Sequence, residues 1–197
     1  MSNLQDKRQE LINIISDALK GHDNNNEIAD YVVKSFAKIS EPVKDEYVFM
    51  ELITLKSASG LGGGKSRKTG NVQLNWRKLL TDSPEHYLTI VGAATSSYLI
   101  PLAGLVVWNK LWALRSIEIS EMHAIVISAL WELRDNNNYV DGKDLLSKIN
   151  IHFKKHTKRE LSNDELDIII SDLCDLRTIK LKSDGRIWLC EYVRKSY

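Results

Sequence analysis

The segment YLTIVGAATSSYLIPLAGLVVW, running from Tyr87 to Trp108, contains no charged residue and constrains the architecture of this chain more than any other stretch. A tract of that length either crosses a bilayer or supplies the innermost helices of a folded core. Tyr87, Trp108 and Trp112 stand near its ends, as interfacial aromatics do in a span. Against a span, Thr89, Thr95, Ser96 and Ser97 interrupt the run, Gly92 and Gly104 lower its helix propensity, and Pro101 removes a backbone donor. Following Tyr98-Leu99-Ile100, Pro101 reads more simply as the first turn of a new helix. Flanking charges give no orientation, because Arg77 and Lys78 precede the tract and Lys110 and Arg115 follow it. The expectation is a central pair of apolar helices over 84–116, buried in protein. A membrane-anchored effector with a span at 87–108, associated with an inner membrane, is the alternative.

Composition is ordinary for a soluble domain, at 43% hydrophobic and 27% charged. A net charge of +1 gives no global pull toward nucleic acid or anionic lipid, so any such attraction has to come from local patches. Two cysteines, Cys174 and Cys190, are too few for a disulfide scaffold, and the polar start MSNLQDKRQE lacks an apolar signal region. A cytoplasmic protein with reduced thiols is expected.

In chain order, Leu4, Leu11, Ile12, Ile15 and Leu19 recur at helical spacing before a stop at Gly21. A second amphipathic helix starts at Glu27, carries Ile28, Tyr31, Val32 and Phe36 on one side, and ends before Pro42. Val43 to Ser57 mixes helix and strand signals; its early acids and late Lys56 favour a helix. The Gly-rich stretch 59–70 contains Gly64-Lys65-Ser66, which invites comparison with a phosphate-binding loop. The comparison fails because residue 59 is serine, Gly70-Asn71 falls where the loop's helix should run, and no later strand ends in a magnesium-binding Asp. What remains is a loop with three cations, Lys65, Arg67 and Lys68, able to hold a phosphate or a nucleic-acid backbone. Over Asn71–Leu80, Val72, Trp76, Leu79 and Leu80 share a face if the segment is a short helix, and Ser83-Pro84-Glu85 has the form of a helix start.

Beyond Ile117 the pattern is regular. Ser120 can cap a helix reaching Arg134; Tyr139-Val140 is a short extended piece; Gly142 opens a helix to about Phe153; a basic loop, KKHTKR, follows. Ser162 with Glu165 forms a capping box for a helix whose Leu166, Ile169, Ile170, Leu173 and Leu176 make one stripe. Two alternating runs, 178–182 and 186–193, flank Ser183-Asp184-Gly185, a strong hairpin signal. This order of three helices, a short strand between the first two, and a hairpin resembles the winged-helix family over 117–197. The fold class expected is therefore mainly α (α+β), with a helical region over 1–116 and a winged-helix-like domain over 117–197.

The resemblance implies that the third helix enters a DNA groove and that the hairpin wing touches the backbone. The wing has suitable cations in Lys180, Lys182 and Arg186, and Lys154, Lys155, Lys158 and Arg159 lie in the basic loop. The third helix departs from the pattern: Asp164, Glu165, Asp167, Asp172 and Asp175 lie on it, and carboxylates facing phosphates repel. An acidic helix suits a basic protein partner instead. Modules of the family without a reading helix act as dimerisation and adaptor units, for example in accessory subunits of chromosome-organising ATPases and in some bacterial defence complexes.

Catalytic chemistry is weakly indicated. His152 and His156 are spaced as two ligands on one helix but lack a third, so no metal is expected. Asp135 to Asn138 resembles a calcium loop only until Val140 takes the glycine position. Cys174 and Cys190 sit among apolar neighbours, and no Ser/His/Asp grouping is evident along the chain. The reading is a non-enzymatic adaptor or accessory subunit without a cofactor, engaging a protein partner and, non-specifically, a nucleic-acid backbone. A DNA-binding regulator using wing and loops is the alternative.

Overall fold

The computed structural model describes residues 2–40, 71–81, 98–112 and 117–196. The helix expected at Val43–Ser57, the Gly-rich loop with Lys65, Arg67 and Lys68, the start at Ser83-Pro84-Glu85 and the Tyr87–Ser97 half of the apolar tract lie outside these residues. Helix α1 (Ser2–Ala18) turns Leu11 and Ile15 inward and stops ahead of Gly21, whose φ of +102° is a left-handed conformation natural to glycine. Helix α2 (Asn25–Phe36) buries Ile28, Ala29, Val32, Val33 and Phe36, one stripe at i, i+1, i+4, i+5, i+8, and packs on α1.

The backbone then becomes extended as β1 (Ala37–Ser40), where the sequence reading ran the helix on toward Pro42. β1 pairs antiparallel with β2 (Asn71–Asn75), and β2 pairs on its other side with β6 (Tyr192–Ser196). The short helix expected over Asn71–Leu80 is thus a strand in its first half. Val72 and Leu74 are buried while Gln73 is half-buried, the two-residue alternation of a strand with partners on both edges. The helix survives only in α3 (Trp76–Thr81), which starts where Asn75 Oδ1 accepts the Lys78 N–H at 2.8 Å.

Helix α4 (Leu99–Trp112) begins just before Pro101, which occupies its first turn. Its 14 residues span roughly 21 Å, short of the ~30 Å hydrocarbon thickness, and no helix among the described residues is long and apolar enough to cross a membrane. α4 packs against α1, α2, α3 and a further helix, α5 (Glu121–Leu133). Gly104 permits the approach of α3, since a Cβ there would lie 2.7 Å from Leu79 Cδ1.

The remainder follows as α5, β3 (Tyr139–Val140), α6 (Leu145–His156), α7 (Asn163–Asp175), β4 (Ile179–Leu181) and β5 (Ile187–Leu189). These three strands form an antiparallel sheet in the order β3-β5-β4. The class is mainly helical α+β, with two small antiparallel sheets among the described residues. The run 186–193, read in sequence as one strand, is two: β5 ends at Leu189, and after Cys190-Glu191 the chain enters the other sheet as β6. Glu191 is the junction, its carbonyl accepting the Arg77 N–H at 3.1 Å. Among the described residues, one cluster of buried apolar side chains runs from Leu11 to Val193, and Trp108 Nε1 donates to the Leu176 carbonyl at 2.8 Å.

Candidate functional site

Helix α7 is fixed at its start by the box foreseen in sequence. The Glu165 N–H donates to Ser162 Oγ at 3.2 Å, and Glu165 Oε2 accepts the Ser162 N–H at 3.0 Å. Arg159 Nη1 lies 2.7 Å from Glu165 Oε1. The Ser162 N–H, followed by Arg159, holds the Glu165 carboxyl below the usual glutamate range. Leu166, Ile169 and Leu173 seat the helix against α5 and β4.

The five acids separate into three environments. Asp164, Asp167 and Asp175 are exposed, and with Ser171 and Ile168 (61% exposed) they occupy one side of the helix at i, i+3, i+4, i+7 and i+11. Glu165 is engaged in the cap. Asp172 Oδ2 lies 3.1 Å from Nε2 of His123, a side chain of α5 that is only 5% exposed. His123 Nδ1 is 3.2 Å from the Ser120 backbone nitrogen and 3.0 Å from Ser120 Oγ. A backbone N–H can only donate, so Nδ1 is the acceptor and the proton sits on Nε2, directed at Asp172. Ser120, His123 and Asp172 have the residue types of a nucleophilic triad, but the backbone N–H already claims the imidazole lone pair. The group caps α5 and ties it to α7.

At its other end α7 closes in a Schellman motif. The Thr178 N–H reaches the Leu173 carbonyl at 3.1 Å and the Arg177 N–H reaches Cys174 at 2.8 Å. Arg177 takes the left-handed position, with φ +57°, where glycine is usual.

In the β4–β5 hairpin, Asp184 accepts from Arg186 Nε and Nη2, both at 2.8 Å, and Gly185 turns the chain with φ +80°. The Arg186 side chain holds the Asp184 carboxyl below its usual range. Opposite the turn, Gly142 lies so close that a Cβ there would be 2.4 Å from the Gly185 carbonyl oxygen. One face of the β3-β5-β4 sheet carries Tyr139, Trp188 and Lys180 in register. Lys180 and Lys182 Nζ stand 5.2 and 5.7 Å from the Trp188 ring centroid, and Arg186 stands 4.6 Å from that of Tyr139. At the base of the sheet is an open cleft of about 430 Å³, lined by Trp108, Arg177, Lys180, Trp188, Glu191 and Tyr192 among others.

The structure therefore brings Lys180, Lys182 and Arg186 together and assembles the basic loop differently. Lys154 pairs with Glu160 and Arg159 with Glu165, while Lys155 and Lys158 are exposed. His152 Nδ1 meets Glu132 at 2.9 Å and His156 lies edge-on to Tyr98, so the two histidines serve different contacts. Arg177, Tyr139, Trp188 and Tyr192 escaped the sequence reading. The lone signal was Tyr139 and Trp188 in short strands with β propensity, which marks a sheet rather than a site.

No family model, no curated protein and no solved structure matches this chain.

Proposed function

We propose that residues 117–197 form a winged-helix-like module in a non-enzymatic accessory protein, and that α7 docks a basic protein partner. The helix order and the β3-β5-β4 strand order support the resemblance. The observation that carries the docking reading is the exposed side of α7, which presents Asp164, Asp167 and Asp175 with Ile168 and, among the described residues, no cation of the helix itself. A phosphate backbone facing that side meets only repulsion. A Lys/Arg-bearing surface with an apolar socket finds both charge complementarity and an anchor.

The test uses a photo-crosslinking residue at Ser171, identification of the adduct, and binding measured with the purified adduct protein. Asp164→Lys with Asp167→Lys is expected to weaken that binding at least tenfold, and a compensating acidic change on the partner to restore it. Absence of an adduct, or purified binding indifferent to the charge reversal, overturns the docking reading.

A further inference from the structure

The cleft beneath the wing combines features that the docking reading leaves unused. Trp188 is half-buried and Tyr192 is 51% exposed, so both rings are accessible from it. Arg177 and Lys180 line it, and Lys182 Nζ lies over the Trp188 ring. The one acid among the described residues that line it, Glu191, is compensated, since its Oε1 accepts from Asn138 Nδ2 at 2.9 Å and from Arg77 Nη1 at 3.1 Å. Arg177 is a further pointer. The Schellman close of α7 sets a long cationic side chain on a left-handed backbone that glycine would adopt with less strain.

We propose that this cleft binds single-stranded nucleic acid, with an unpaired base stacked on Trp188 or Tyr192 and the neighbouring phosphates on Arg177, Lys180 and Lys182. Aromatic platforms beside a cationic track are what an unpaired strand requires, whatever its sequence. A duplex keeps its bases stacked inside and offers only its backbone to the rim, so the two rings would go unused. A volume of about 430 Å³ is in the range that holds one nucleotide rather than a helix. On binding, the two lysines exchange a contact with the Trp188 ring for one with phosphate. The proposal is independent of any partner on α7.

The experiment is fluorescence anisotropy on the full chain with labelled oligo-dT of about 15 nucleotides and with a duplex of equal length, at about 50 and 200 mM salt. Oligo-dT is expected to bind at least tenfold tighter than duplex. At least one of Tyr192→Ala and Trp188→Leu should weaken it about tenfold or more, the exposed Tyr192 substitution with no change in melting temperature. Arg177→Gly should weaken it several-fold while leaving the melting temperature unchanged or higher, which separates loss of a ligand contact from loss of fold. Free dTMP should fail to compete at equal phosphate concentration. Duplex bound as tightly as the single strand, binding indifferent to both ring substitutions, or displacement by dTMP would each overturn the proposal.

Discussion

Asp172 and Asp175 lie three positions apart on α7, yet removing their carboxylates should have different effects. Asp172→Ala leaves the buried His123 Nε2–H without its acceptor and is expected to destabilise by about 1–3 kcal/mol. Asp175→Ala removes an exposed group and should stay within about 0.5 kcal/mol. Urea midpoints of the two variants measure the difference, and equal values would remove the tie between α5 and α7 from the account. Gly142→Ala should cost about 1–3 kcal/mol in the same assay, because its methyl would collide with a backbone carbonyl that cannot swing aside. None of this was legible in sequence. The acids could be seen, but which one turns inward depends on His123, 49 residues away, and the need for Gly142 depends on the β4–β5 turn folding over it.

Among elements, α7 carries the most explicit local code, and Ser162→Ala should lower stability by about 1 kcal/mol through loss of the cap. The pH dependence has a definite sign. Glu165 titrates lower in the folded chain than in the unfolded one, so its contribution is present above the ordinary glutamate range and fades as pH falls toward the lowered value. Glu165→Gln is therefore expected to flatten the acid limb of a urea-midpoint profile; an unchanged limb would mean the cap is not ionic. Helices with a single apolar stripe, the Ser162–Glu165 box and the Asp184-Gly185 turn were readable because each is specified by neighbours in sequence. β1, β2 and β6 were not. A window such as NVQLN fits a helix face and a strand alternation equally, and the choice is made by strands that pair with it from residues 37–40 and 192–196.

For the whole molecule, the apolar cluster, the Trp108–Leu176 bond and β6 join the parts on either side of residue 117. The described chain should unfold in one transition, with calorimetric and van't Hoff enthalpies in agreement. Truncation after Cys190 should lower the melting temperature and promote self-association, since β2 would then present an open edge bearing Val72 and Leu74. A truncated chain as stable and monodisperse as the intact one would show that β6 contributes nothing to cohesion.

The placement of β6 also sets an order of events during synthesis. Helices α1 and α2 can pair as soon as they emerge, but the strand they lead into waits for β2, and β2 acquires its second neighbour only when residues 192–196 have been made. Pairing between 71–75 and 192–196 is among the most distant in the chain, so its loop closure is slow compared with the local helical contacts. Until residues 192–196 have been made, β2 stands half-paired, and its open edge is the part of the chain most exposed to pairing with another strand.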